Sequence, residues 1–137
     1  MEDKNIARLI QVGFEEAGEW FIKDNVLRYR LTQNDQASKI LYAFVTDEQV
    51  LYIGKSNRTL AQRLNGYTNP HPTQNTNIKN HQYIKDLLRQ GKAVKILVFA
   101  PADDEIIYRG VPLNLAAGLE DGLINVFQPL WNIQGKE

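Results

Sequence analysis

The chain has 137 residues, 43% of them hydrophobic, enough for one domain with a substantial core and too few for two of ordinary size. It contains no cysteine, which excludes disulfides, thiolate zinc sites, iron–sulfur clusters and a cysteine nucleophile, so any metal must be held by oxygen or imidazole. The formal net charge is zero, no apolar stretch approaches the roughly 18 residues needed to cross a bilayer, and MEDKNIARLI lacks the layout of a signal peptide, so a cytoplasmic protein without a membrane partner is expected.

Ile6, Leu9, Ile10, Phe14 and Ala17 recur at helical spacing and predict an amphipathic helix over about residues 3–17, stopped by Gly18. Trp20 and Ile22, then Asp24-Asn25, then Leu27, Tyr29 and Leu31 read as a small hairpin. This unit, residues 1–38, is expected to be an extension packed on a core formed by residues 39–137. The core opens with LYAFVTDEQVLYIGKS, residues 41–56, which predicts two strands with a tyrosine near the same end of each. For both phenols to face one site, Tyr42 should stand opposite Tyr52. That needs a loop of three or five residues or a bulge, because a two-residue turn at Asp47-Glu48 would send the rings to opposite faces.

Thr59 is a plausible cap for a helix carrying Leu60, Leu64 and Tyr67, with Arg63 four residues before Tyr67 on a shared face. The polar, proline-interrupted TNPHPTQNTN, residues 68–77, reads as a loop in contact with a ligand. IKNHQYIKDLLRQG predicts a helix with Ile84, Leu87 and Leu88 inward, Lys85 and Arg89 outward, and a stop at Gly91. VKILVFAP reads as a buried strand, and NLAAGLEDGLINVF as a helix burying Leu119, Leu123, Ile124 and Phe127. The expected architecture is α/β: a small, largely antiparallel three-stranded sheet flanked by helices, with the N-terminal helix and hairpin added.

The order Ile40-Leu41-Tyr42, Tyr52-Ile53-Gly54, Arg63, Tyr67, Glu120 and Asn132, spanning residues 39–134, resembles the GIY-YIG nuclease superfamily. Ile40 stands where the first motif has glycine, and Tyr67 where many members carry histidine. The resemblance implies a metal-dependent endonuclease acting on DNA, with Glu120 holding a single Mg²⁺ or Mn²⁺ and Asn132 in support. Tyr42 is then the expected base, Tyr52 and Tyr67 position groups, Arg63 holds phosphate and Lys55 steadies it.

The residue chemistry is compatible on its own terms. Phosphodiester hydrolysis needs an activated water, positive charge on the non-bridging oxygens and help for the leaving alkoxide. A phenol with its ordinary pKa near 10 needs a nearby cation to act as base, and Arg63 supplies that cation as well as a phosphate fork. One carboxylate suits an ion that keeps most of its waters. Taken singly, Tyr42 and Tyr52 read more readily as core residues of strands, and Arg63 can be read as a surface cation and Glu120 as an exposed helix charge. His71 and His81 lack metal-ligand spacing and read as structural or surface residues. A non-catalytic nucleic-acid-binding module on the same fold is the alternative function.

Charge along the chain favours a polyanionic partner. Residues 1–54 carry net −3 and residues 96–137 net −4, while residues 55–95 hold eight Lys/Arg against Asp86 alone, net +7. Lys55, Arg58, Lys79, Lys85 and Arg89 are the expected phosphate contacts, and Gln74 and Asn77 are expected to reach phosphates or base edges. Each phosphate contact on duplex DNA contributes about −0.9 to the slope of log K against log salt. Replacing Lys79, Lys85 and Arg89 together with alanine should therefore flatten that slope in a binding titration, and an unchanged slope would place DNA on another surface.

Overall fold

The computed structural model describes residues 6–47, 49–102 and 105–134. Helix α1 (Ile6–Val12) precedes strands β1 (Glu15–Lys23) and β2 (Val26–Leu31), then β3 (Ile40–Thr46) and β4 (Gln49–Ser56). Helices α2 (Leu60–Thr68) and α3 (Asn75–Arg89) follow, then β5 (Val94–Phe99), a two-stranded ribbon of β6 (Ile107–Tyr108) and β7 (Val111–Pro112), and helices α4 (Leu115–Phe127) and α5 (Leu130–Gln134). No helix among the described residues is long and apolar enough to cross a membrane.

The main sheet has the order β2-β1-β5-β3-β4, with antiparallel pairs throughout. An antiparallel sheet flanked by helices is thus present, but it has five strands where three were expected. The N-terminal hairpin accounts for the difference: β1 pairs with β5 over Glu15 to Trp20 and so continues the sheet that carries β3 and β4. The expected helix over 3–17 is also corrected. Gly13, at φ +127°, ends α1 after Val12, and Phe14 and Ala17 fill the core from the approach to β1 and from β1 itself. The part of that helix before Ile6 lies outside the described residues. Asp24 and Asn25, both at positive φ, close the β1–β2 turn, a conformation that Asn and Asp tolerate better than other side chains.

Every residue of β3 is buried, as its near-continuous apolar sequence demands, because both faces of the sheet are covered. Ile40, Tyr42 and Phe44 point into one layer with Leu60, Leu64, Tyr67 and Ile84 from α2 and α3. Leu41, Ala43 and Val45 point into the other, with Leu9, Ala116, Leu123 and Phe127 from α1 and α4.

The β3–β4 hairpin settles the orientation of the phenols. Thr46 pairs with Gln49, leaving two residues between the strands, the arrangement that alone would have split the tyrosines. The register then shifts between Phe44 and Val45: Val45 pairs with Val50 but Phe44 with Tyr52, so Leu51 is an extra residue in β4. Leu51 and Tyr52, adjacent in sequence, consequently both pack on the α2–α3 layer. Tyr42 stands opposite Gly54 rather than opposite Tyr52, and its ring lies diagonal to that of Tyr52 at 6.2 Å between centroids.

Gly54 makes this possible. A Cβ there would sit 2.5 Å from both Cζ and Oη of Tyr42 and 2.9 Å from Tyr52 Cε2. The Tyr42 ring has no room to retreat, being fully buried and flanked by Phe44 and Tyr67. Gly54→Ala should therefore destabilise the fold by an overpacking cost of roughly 1–3 kcal/mol. A urea midpoint equal to that of the parent protein would show that the ring is not wedged against this backbone.

Candidate active site

Four of the sequence-nominated side chains meet on the α2–α3 face of the sheet. The hydroxyls of Tyr42 and Tyr67 are 2.6 Å apart and buried. Arg63 Nη2 donates to Tyr67 Oη at 2.9 Å and to Asn77 Oδ1 at 3.1 Å, and the guanidinium carbon lies 4.4 Å from the centre of the Tyr67 ring. The capping box that starts α2, with Thr59 and Gln62 each bonding the other's backbone N–H, fixes the turn from which Arg63 and Tyr67 project. His81 Nδ1 lies 2.6 Å from the Tyr67 carbonyl and holds the last turn of α2 to α3. Tyr52, half-buried, stacks on Phe44.

Burial raises the pKa of all three phenols. Tyr42 is pushed well above its ordinary value, first by loss of solvent and then by Tyr52, with the Arg63 charge and the Tyr67 hydrogen bond pulling the other way. Tyr67 is likewise raised well above it, mainly by burial. Tyr52 is raised by burial and by the Glu120 charge, opposed by Tyr67 and Arg63. For Arg63, burial opposes the charge, but the phenol oxygens of Tyr42, Tyr67 and Tyr52 outweigh it and keep the guanidinium firmly protonated.

These environments bear on the expected roles. Tyr42, expected as the base, has no exposed surface and a hydroxyl already engaged by Tyr67, so Tyr52 is the better placed of the sheet phenols to meet a water. Asn77, expected to reach DNA, is only 5% exposed; its Oδ1 accepts from Arg63 and its Nδ2 donates to Gln74 Oε1 at 3.1 Å. That corrects its role to orienting Arg63. Asn132 spends both side-chain polar atoms on Ile53, accepting from its N–H at 2.8 Å and donating to its carbonyl at 2.9 Å. It thereby occupies the free edge of β4 and holds the strand that carries Tyr52 and Gly54.

Glu120, half-buried on α4, lies 3.8 Å from Lys55 Nζ. Burial raises its pKa and Asp121 adds to the rise, while Lys55 opposes it. Among the described residues no group of three His, Cys, Asp or Glu could hold a metal, so the donor set at Glu120 suits only an ion that retains most of its water. Arg58 is exposed on the turn ordered by Ser56, whose Oγ accepts from the Arg58 N–H at 3.0 Å. Lys79 projects from the first half of α3. Lys85 and Arg89 belong elsewhere: they donate to the carbonyl and side-chain oxygens of Asn25 at 3.4 and 2.9 Å, at the β1–β2 turn. Arg89 is about 18 Å along α3 from Asn77 at 1.5 Å per residue.

No protein-family profile and no curated protein matches this sequence. Its fold is similar to that of two solved structures. One is a mutant of EndoII from bacteriophage T4, with a TM-score of 0.71 and 19% identity over 93% of this chain and 98% of that one. The other is the restriction endonuclease HPY188I in complex with product DNA, with a TM-score of 0.57 and 17% identity over 88% of this chain and 80% of that one. At these identities the likeness establishes the fold.

The raised phenols give a stability test. Each ionises near pH 10 when unfolded but only at higher pH when folded, so their contribution is complete below about pH 10 and is lost as pH rises through the folded values. Denaturant-derived stability should fall above pH 10, and Tyr42→Phe should make that fall shallower. At neutral pH the same substitution takes from Tyr67 its buried partner at a cost of about 1–2 kcal/mol. An identical alkaline profile in the variant would place the Tyr42 hydroxyl in contact with solvent.

Proposed function

We propose that this protein is a metal-dependent DNA endonuclease that hydrolyses phosphodiester bonds by a GIY-YIG-type, single-metal mechanism. The observation that carries the reading is the convergence of Tyr42, Tyr52, Tyr67 and Arg63 on one face of the sheet, with Glu120 close enough to raise the Tyr52 pKa. The fold shared with EndoII and with HPY188I, whose solved structure contains product DNA, supports it.

Arg63 is built to receive a phosphate. Nη2 is committed to Tyr67 and Asn77, and the planar guanidinium carries five N–H groups, more than those two bonds use. Its partners are neutral phenols and an amide, so the charge is not cancelled within the protein. Tyr52 holds the attacking water as a hydrogen-bond acceptor; to take the water's proton it must already be the phenolate, a form that burial disfavours and the Arg63 charge favours, and on taking that proton it returns to the phenol. Tyr67 and Tyr42 fix Arg63 and the wall against which Tyr52 sits. Lys55, the cation on the second tyrosine's strand, contributes positive charge beside the scissile group. Glu120 would hold a hydrated Mg²⁺ or Mn²⁺, which when bound supplies Lewis-acid charge to the non-bridging and leaving oxygens.

Glu120→Gln separates binding from cutting. The amide is a much poorer ligand for a hard divalent ion, so plasmid nicking in Mg²⁺ should drop on the order of a thousandfold. Duplex affinity at matched salt should be retained or slightly increased, because a carboxylate that repels phosphate has been neutralised. Arg63→Ala should reduce both. Nicking at the parental rate by Glu120→Gln would sink the metal-site assignment. Duplex binding without nicking by the parent protein would make the fold a non-catalytic nucleic-acid module.

A further inference from the structure

Arg63 is tied to the surface by a chain of hydrogen bonds that the proposed mechanism does not use. Its Nη2 donates to Asn77 Oδ1, Asn77 Nδ2 donates to Gln74 Oε1, and Gln74 Oε1 also accepts from the backbone N–H of His71 at 3.2 Å. The orientations of both amides are fixed by obligatory donors at the two ends. A guanidinium can face only the oxygen of Asn77, and a backbone N–H can face only the oxygen of Gln74. The middle bond then has one allowed polarity, from Asn77 to Gln74.

Two features show that this relay is built in. Gln74 occupies the N-cap position of α3, yet its side chain caps nothing and turns back onto Asn77 and the loop before it. Gly66 leaves the relay its space: a Cβ there would press on Asn77 Nδ2 at 3.3 Å and Arg63 Nη1 at 3.4 Å. The loop is itself ordered, since His71 Nδ1 accepts from the Thr73 N–H at 3.2 Å and lies 2.9 Å from Thr73 Oγ1. Gln74 is exposed, and its Nε2 makes no hydrogen bond among the described residues. One side chain therefore presents a donor to solvent while its oxygen sets the residue that sets Arg63.

We propose that Gln74 is a substrate-sensing positioning residue: its outward amide engages a phosphate or base-edge acceptor on duplex DNA, and through Asn77 that engagement locks Arg63 in the orientation that receives the scissile phosphate. The substrate half of this statement rests on the endonuclease reading; the relay does not. It places site engagement and catalytic readiness on one short path from the loop between α2 and α3 to the buried phenols.

Two substitutions divide the roles. Gln74→Ala removes the acceptor and leaves a buried amide N–H₂ unpaired, which loosens Asn77 and Arg63. Gln74→Glu keeps an oxygen for Asn77 and His71 but turns the outward donor into an acceptor that repels phosphate. The first should lower kcat by about tenfold or more, and the second should shift its loss into KM. The relay is read independently in DNA-free protein by ¹H–¹⁵N spectra of the Arg63 side chain. Resolved, slowly exchanging Nη signals are expected for the parent and for Gln74→Glu, and averaged signals for Gln74→Ala. Arg63 signals that are alike in all three would overturn the relay. Equal kcat losses in the two variants, with intact Arg63 signals in Gln74→Glu, would overturn the sensing role. A parent protein that binds duplex without cutting would defeat the endonuclease reading, while the Arg63 signals still decide the relay.

Discussion

The structure turns on the contact between the Tyr42 ring and the bare backbone of Gly54. It requires two departures from regular hairpin geometry. The extra residue at Leu51 restores a register in which Tyr42 and Tyr52 share a face after a two-residue turn, and the absence of a Cβ at Gly54 lets a full phenol lie across the neighbouring strand. Without the bulge, Tyr52 would project into the α1–α4 layer, where Val50 and Ile53 now sit. Without the glycine, Tyr42 would be lifted away from Tyr67, the phenol that accepts from Arg63. The pair of motifs around Tyr42 and Tyr52 is thus one packing unit, with the second tyrosine's glycine serving the first tyrosine's ring.

Much of this was legible from sequence pattern. Apolar runs on either side of a polar turn located β3 and β4, the Arg63–Tyr67 spacing placed both on one helical face, and the apolar period of residues 114–127 located α4 with Glu120 beside its inner stripe. What failed did so for tertiary reasons. Phe14 and Ala17 fit a helical period, but the chain turns at Gly13 and meets the same core from strand geometry, and a period read over one helical turn cannot distinguish the two. The strand count was low because nothing in residues 15–31 reveals that β1 will find an open edge on β5, more than seventy residues away. The polar segment at 68–77 reads as a ligand-contacting loop along its whole length, whereas Asn75–Asn77 already belong to α3. Asn77 was nominated for its hydrogen-bonding tip; polarity gives no signal of burial when the partner is an arginine on another helix.

Neutral amides serve as fixtures throughout the site. Asn132 satisfies the Ile53 N–H and carbonyl on the open edge of β4, two groups that would otherwise need water or another strand. Asn77 and Gln74 perform the corresponding service for a side chain, matching donor to acceptor without adding charge. An Asp in place of Asn77 would bind Arg63 more strongly but would neutralise it, raising the cost of handing the guanidinium to an incoming anion.

Arg63 and Lys55 are consequently in opposite states. Arg63 is surrounded by neutral acceptors and π-faces, which hold it in place and leave its charge uncompensated. Lys55 stands beside Glu120, so in the free protein its charge is offset by the carboxylate. Because that pair is partly exposed and 3.8 Å apart, its attraction is modest and readily exchanged for a stronger counter-charge.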